Sequence, residues 1–549
     1  MSAPAPAHRG RREADLACLE ALHLPRASDT LDALFRARVQ TAGDAPFLTV
    51  RGRVHSWRGL DRHVGACIDL LAAAGLRRGD RVAAALPNGD ALVILLLACA
   101  RRGFVFAPIN PALTAGELAP VLAVLDAAAL ITTDLADTVV SQAIAGLRRA
   151  PWWLAVPANS LALDDAVVRS TILPPGNPPL ETAPSPPPQP EEPLAIVFTS
   201  GTTGVPKGAV HTQRTYVAAA EIAAWRVRLS PADTVLAVLP MFHLNALFYS
   251  VGGAIASGAR LVLEERFSAA TFWQTVSRHG VTQVNMIAAV GNILLKRDRA
   301  EFPGNDTLRK VSAAPVSQAA AEQLREAFGI THVVESYGMT EATGVAQVDF
   351  DDTTHRACLG RPIRHPLSGE PVSEIRIVDE ARRALPPGEV GRIMLRSRLL
   401  MRAYFNRPDL ASAIDPEGWF LTEDLGRLDE HGYAWLVGRT AEIVRCRGEN
   451  VSVAEVEAAL LTHPEISEAA CVGVPADLGE EELLAVVVPR PGARPSPLSI
   501  GAHCARLLAP FKHPRWLVLR DALPRTPTEK VSRHLLRSDA TLMREATRL

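Results

Sequence analysis

Ten residues, Thr199-Ser200-Gly201-Thr202-Thr203-Gly204-Val205-Pro206-Lys207-Gly208, place hydroxyls, glycines and one lysine directly after the apolar run Leu194 to Phe198. That composition suits a polyphosphate. Glycines let backbone amides approach anionic oxygens, threonine and serine hydroxyls add donors, and lysine brings positive charge. The segment is not the common nucleotide loop, which needs Gly-Lys-Ser or Gly-Lys-Thr opening a helix. Here Pro206 precedes Lys207 and Gly208 follows it. An ordinary surface turn is the bland alternative, although hydroxyls at this density closing on Pro-Lys-Gly are unusual turn chemistry.

A second segment, Glu335-Ser336-Tyr337-Gly338-Met339-Thr340-Glu341, follows the strand-like Thr331 to Val334. A nucleotide site needs an aromatic face for the base, a hydroxyl at the phosphates and a carboxylate for Mg²⁺. That ion prefers oxygen ligands and often takes one protein carboxylate plus phosphate oxygens. Tyr337, Thr340 and Glu341 offer all three within what reads as one turn. Alone, such residues are as typical of a structural turn or a helix cap. Paired with the first loop they make a nucleotide site.

These two segments resemble the phosphate loop and the adenine and magnesium motif of the adenylate-forming enzymes. That superfamily comprises acyl-CoA synthetases, peptide-synthetase adenylation domains and firefly luciferase. Three further segments match it in order. In Gly418-Trp419-Phe420-Leu421-Thr422-Glu423-Asp424, Asp424 aligns with the carboxylate that holds the ribose hydroxyls, a task that suits an acceptor-only group. Gly438-Arg439, with Thr440 to Val451, resembles the hinge and the loop containing Gly448 that opens a small C-terminal domain. Leu523-Pro524-Arg525-Thr526-Pro527-Thr528-Glu529-Lys530-Val531 resembles the segment carrying the adenylation lysine. His243, within Leu239 to Asn245, occupies the place of the gating histidine beside the acid, although a lone histidine on an apolar run is more often a core residue. The resemblance runs from Ser56-Trp57 to Val531.

The resemblance implies ATP-dependent activation of a carboxylic acid as its acyl adenylate with loss of pyrophosphate, catalysed by position and charge rather than by a nucleophilic side chain. Thr199, Ser200, Gly201, Thr202, Thr203, Gly204 and Lys207 would hold the β and γ phosphates. Tyr337 would meet the adenine, Asp424 and Arg439 the rest of the nucleotide, and Glu341 the Mg²⁺. Thr340 and His243 would flank the reacting groups, and Lys530 would bridge the acid and the α-phosphate. The C-terminal domain would then swing, withdrawing Lys530 and bringing the Gly448 loop in for thioester formation with CoA. Segments Arg266 to Trp273 and Arg447 to Ser452 resemble crotonobetaine/carnitine-CoA ligases, which implies a small or medium acid.

Three positions depart from the pattern. Ala441 stands at the hinge, where Asp or Lys is usual, and weakens its bias. Glu423 replaces a glycine beside Asp424, adding negative charge near the nucleotide, where weaker ATP binding is expected. Glu529 replaces a glycine before Lys530 and stiffens that loop. They keep open a second class, adenylation with a non-CoA acceptor such as an amine, or of a small oxyacid such as nitrite. A non-catalytic nucleotide-binding relative is disfavoured because Lys207, Glu341, Asp424, Arg439 and Lys530 are all present. The acid pocket is expected along 243–248, 285–291, 312–316 and 343–345, segments of small and polar residues that contain no basic partner for the acid.

Positioning these groups requires an α/β framework. Helical patterns at Thr30 to Gln40, Leu60 to Gly75 and Ala91 to Gly103 alternate with strand patterns at Leu48 to Val50, Arg53 to His55, Arg81 to Leu86, Phe104 to Asn110 and Leu130 to Thr132. Such alternation predicts parallel-rich sheets covered by helices. With 549 residues the chain exceeds one core, since cores stop growing at about 250–300 residues. The expected divisions are a disordered leader at 1–27, an N-terminal adenylation domain at 28–438 with a proline-rich linker at 174–190, and a mobile α+β C-terminal domain at 439–549.

A net charge of −1 gives no global field for nucleic acid or an acidic membrane. The longest apolar stretch, Ala91 to Ala100, is far short of the roughly 20 residues needed to cross a bilayer. His8 to Arg12 lacks a following apolar segment and does not read as a signal peptide. Seven scattered cysteines form no Cys-x-x-Cys pair, which suits free thiols in a reducing cytoplasm.

Overall fold

The computed structural model describes residues 17–20, 22, 29–158, 167–170, 186–199, 207–298, 300, 302–313, 318–352, 358–366, 369–439, 443–446, 449–475, 481–508, 510–525 and 530–549. Ser200 to Pro206, Ala441, Gly448, Glu529 and most of the expected leader and proline-rich linker lie outside them. The chain divides into two compact units, Met1–Ile375 with Leu395–Phe420, and Arg376–Met394 with Leu421–Leu549.

The expected alternation is realised in the first unit. Thr30 caps the helix Leu31–Ala42 by accepting from the Ala33 amide, and Ser56 caps Trp57–Ala73 by accepting from Gly59. The all-apolar segment that begins at Ala91 forms the helix Asp90–Arg102, buried from Asp90 to Ala100 and ended by Gly103 at φ +74°. A helix apolar on every side belongs in a protein core or a membrane, and this one lies in the largest hydrophobic core. Each of its fully buried leucines contributes about 2 kcal/mol of transfer free energy. Among the described residues no helix is long and apolar enough to cross a membrane.

Two large sheets organise this unit. One orders its strands as Arg361–Pro362, Ala342–Gln347, His332–Met339, Lys310–Ala313, Gln283–Met286, Thr234–Ala237, Arg260–Leu263, Pro46–Val50 and Arg53–Ser56, parallel from His332–Met339 through to Pro46–Val50. The other runs Ala403–Tyr404, Lys207–Thr212, Pro193–Thr199, Val105–Pro108, Arg81–Ala85, Ala129–Thr133, Trp152–Val156 and Val167–Ser170, with a parallel centre and antiparallel edges. Asn88 holds the approach to His243. Its amide nitrogen donates to the Leu239 and Glu264 carbonyls at 2.9 and 3.0 Å, and its oxygen accepts from Met241 at 2.8 Å.

The second unit contains most of the antiparallel pair Phe420–Leu428 and Ala434–Arg439, and a four-stranded sheet built on Ile466–Pro475 and Glu481–Pro489. Helices Val453–Leu461 and Pro497–Leu507 cover the latter through a core that includes Val456, Leu460, Ile500 and Cys504. Cys18, Cys67, Cys99, Cys358, Cys471 and Cys504 are free thiols. Burial pushes the Cys67 thiol up to about 12, which leaves it unreactive at neutral pH.

Candidate nucleotide and acid site

The phosphate loop joins two antiparallel strands, Pro193–Thr199 and Lys207–Thr212, with Thr199 opposite Lys207. It therefore closes a hairpin rather than opening a helix, in accord with the exclusion of the common nucleotide loop. The Thr199 hydroxyl donates to the Lys207 carbonyl at 3.4 Å. Gly208 is required by packing, since a Cβ there would fall 2.6 Å from Ile196 Cγ2.

The second segment differs from the expectation of a single turn. Tyr337 is buried within the strand His332–Met339 opposite Ala346, and only Thr340 and Glu341 form the turn into Ala342–Gln347. The strand expected to end at Val334 runs on to Met339 because it pairs antiparallel with Ala342–Gln347. Gly338 is forced by the closeness of the returning strand, because a Cβ there would lie 2.7 Å from the Gly344 amide nitrogen, and Gly344 itself has φ +71°.

Two long-range contacts tie the hairpin to that turn. Tyr404, on the edge strand beside Lys207–Thr212, donates its hydroxyl to Glu341 Oε1 at 2.7 Å, and Lys207 Nζ stands 6.0 Å from the centre of its ring. Met401 N–H donates to the Glu341 carbonyl at 2.7 Å. His211, four residues after Lys207, is completely buried, with Nε2 2.8 Å from the Thr340 carbonyl oxygen. A carbonyl only accepts, so Nε2 carries the hydrogen and Nδ1 is bare; Nδ1 has no partner among the described residues. Sequence reading missed both residues, because nothing local in Ala403-Tyr404 or Ala209-Val210-His211 announces a partner elsewhere in the chain.

Burial without an acceptor for a second proton lowers the His211 pKa to about 4 from 6.5. The unfolded chain therefore binds the proton first as pH falls. The stability from His211 is full above pH 6.5 and is lost as pH drops through about 4, a change of about 3 kcal/mol. Denaturation from about pH 7 to about pH 4 should show this extra acid loss in the unsubstituted protein and not in His211→Gln, which keeps a donor but cannot titrate. Equal acid sensitivity of the two would refute the assignment.

Glu341 fits a magnesium ligand. Its carboxylate keeps acceptor capacity beyond the Tyr404 hydroxyl, and among the described residues no group of three or more His, Cys, Asp or Glu forms a closed cage. One carboxylate sharing the ion with phosphate oxygens is the arrangement Mg²⁺ favours. His243 lies just before the helix Asn245–Gly252, a π-helix, a form that occurs frequently at functional sites. Its ring sits 4.5 Å from that of Phe242.

The remaining expected residues belong to the second unit. Asp424 is buried in the strand Phe420–Leu428 opposite Arg439, and its amide donates to the Thr422 hydroxyl at 3.1 Å. Glu423 is exposed on the opposite face of that strand, as the two-residue period requires, so its charge does not share the Asp424 face. Lys530 is exposed beside the isolated Arg525–Val531 bridge, with Ser532 N–H donating to the Pro524 carbonyl at 2.8 Å.

Hairpin, edge strand and turn together define a nucleotide-using α/β enzyme. The chain belongs to the AMP-binding enzyme family, whose model matches residues 35–405, and residues 455–530 match the AMP-binding enzyme C-terminal domain. A sulfoacetate–CoA ligase from Cupriavidus necator is 34% identical over 516 residues, covering 93% of this chain and 97% of the relative. A crotonobetaine/carnitine–CoA ligase from Salmonella arizonae is 30% identical over 482 residues, covering 87% and 92%. ATP-bound MatB from Rhodopseudomonas palustris shares the fold, with a TM-score of 0.81 at 24% identity over 93% of this chain and 98% of that one.

Proposed function

We propose that the protein activates a small or medium carboxylic acid with ATP and passes the acyl group to CoA. The carboxylate oxygen forms a bond to the α-phosphorus as the bond to pyrophosphate breaks. The CoA thiol, losing its proton, then attacks the acyl carbonyl and AMP leaves. The observation that supports this reading is the contact of Tyr404 with both Lys207 and Glu341, the cation proposed for the phosphates and the carboxylate proposed for Mg²⁺. Bound at Glu341, Mg²⁺ would neutralise phosphate charge during pyrophosphate departure.

Tyr404 and His211 hold the turn, the hairpin residues Thr199 to Lys207 orient the leaving pyrophosphate, and Tyr337 offers an aromatic face to the base. Asp424 and Arg439 serve the nucleotide. Lys530 serves adenylation and the loop at Gly448 serves thioester formation, within a mobile segment 439–549. Sulfoacetate, crotonobetaine and carnitine, named for the relatives, support a short acid. A small-molecule acid as partner and a cytoplasmic setting complete the proposal. Its test is acid-dependent exchange of labelled pyrophosphate into ATP without CoA. Exchange that requires both Mg²⁺ and an acid is expected, whereas none with any carboxylic acid contradicts the first half-reaction.

A further inference from the structure

One buried cation was not revealed by the sequence. Arg226 ends the helix Gln213–Arg226 and is 2% exposed. Among the described residues no carboxylate pairs with it, and its Nε makes no hydrogen bond. A helix C-terminus tolerates a cation but does not require it to be buried. A guanidinium cannot escape by deprotonating under ordinary conditions, so an unpaired one in the interior is costly unless an anion joins it.

Tyr249 is set against Arg226. The guanidinium carbon lies 4.6 Å from the centre of its ring. A hydroxyl has two lone pairs and one proton. Among the described residues no acceptor takes the Tyr249 proton, so it is left to donate, polarised by the cation beside the ring. Burial also raises the Tyr249 pKa and keeps that proton in place. Tyr249 stands on the helix that follows His243, and its oxygen is 3.2 Å from where a Cβ on Gly338 would sit. It therefore abuts the strand end between Tyr337 and Thr340. The neighbouring Ser250 accepts from Asn285 at 2.9 Å, so the surroundings are polar.

Resting on the adenylating reading above, the geometry points to Arg226 and Tyr249 as the recognition device for a second anionic group on a short acid. Its substrates are compact dianions, a carboxylate to be activated with a second carboxylate or a sulfonate a few bonds away. Tyr249 donates to the distal group and Arg226 supplies the compensating charge from behind. A monoanionic acid of equal length leaves the polarised donor without an acceptor.

The test measures acid-dependent pyrophosphate release from the full chain with ATP and Mg²⁺ over length-matched pairs: propionate against malonate, butyrate against succinate, and propionate against sulfoacetate. Dianions should exceed their monoanionic partners in kcat/KM by about 10–100-fold, the range of a charged hydrogen bond. Tyr249→Phe should narrow that ratio about tenfold and Arg226→Met further, while Arg226→Lys restores part of it. Monoanions used as well as their dianionic partners would overturn the inference while leaving the adenylating reading intact. Release with no acid at all would overturn both. The ratio needs no variant, so it decides even where Arg226→Met fails to fold.

Discussion

Lys530→Ala is expected to lower acid-dependent pyrophosphate exchange by about 10²–10³-fold while thioester formation from a supplied acyl adenylate persists. Lysine is a compact point charge on a flexible stem, suited to the negative charge shared by the acid and the α-phosphate during adenylation. The Arg525–Val531 bridge fixes the position of Lys530 in the chain without burying its side chain. On the proposed function its charge would act on the first half-reaction alone, because a preformed adenylate has already lost pyrophosphate. Equal loss of both half-reactions would show that Lys530 does not divide the two steps.

Glu341→Gln is the second large effect. The substitution keeps an oxygen that can accept from the Tyr404 hydroxyl at the 2.7 Å contact, so the brace survives while the charge is removed. Mg²⁺-supported exchange should fall by about 10²-fold, with half-saturation displaced to higher Mg²⁺. Tyr404→Phe, which removes one hydrogen bond and no charge, should cost only about tenfold. Paramagnetic titration with Mn²⁺ in the presence of ATP reads ion binding independently of turnover. An unchanged ion affinity in Glu341→Gln would remove Glu341 as the metal ligand.

What was legible in the sequence follows from the range of each interaction. Strand and helix alternation from Leu48 to Thr132 is a local periodicity, and the helices and strands formed within a few residues of their expected positions. The segments Thr199 to Gly208 and Glu335 to Glu341 stood out because glycines, hydroxyls and charges sit side by side, whereas the hairpin and the strand that carry them did not. Pairings across the fold were not. His211 meets Thr340 over a separation of 129 residues, and Tyr404 meets Glu341 over 63. Only the sheet order brings such residues together. Arg226 was hidden for a related reason: at the end of a helical pattern it reads as a solvated cation, and only the packing of Asn245–Gly252 against that helix shows it to be interior. That Glu423 does not share a face with Asp424 follows from a local rule, since neighbours on a strand face opposite sides.

The family assignment leaves the acceptor as the point on which the account depends. Its most direct test incubates the purified protein with ATP, Mg²⁺, CoA and the short dianionic acids, and follows AMP and thioester together by mass spectrometry. The account predicts equal amounts of AMP and acyl-CoA, with turnover that requires CoA. AMP release that ignores CoA and rises instead with an added amine would contradict it.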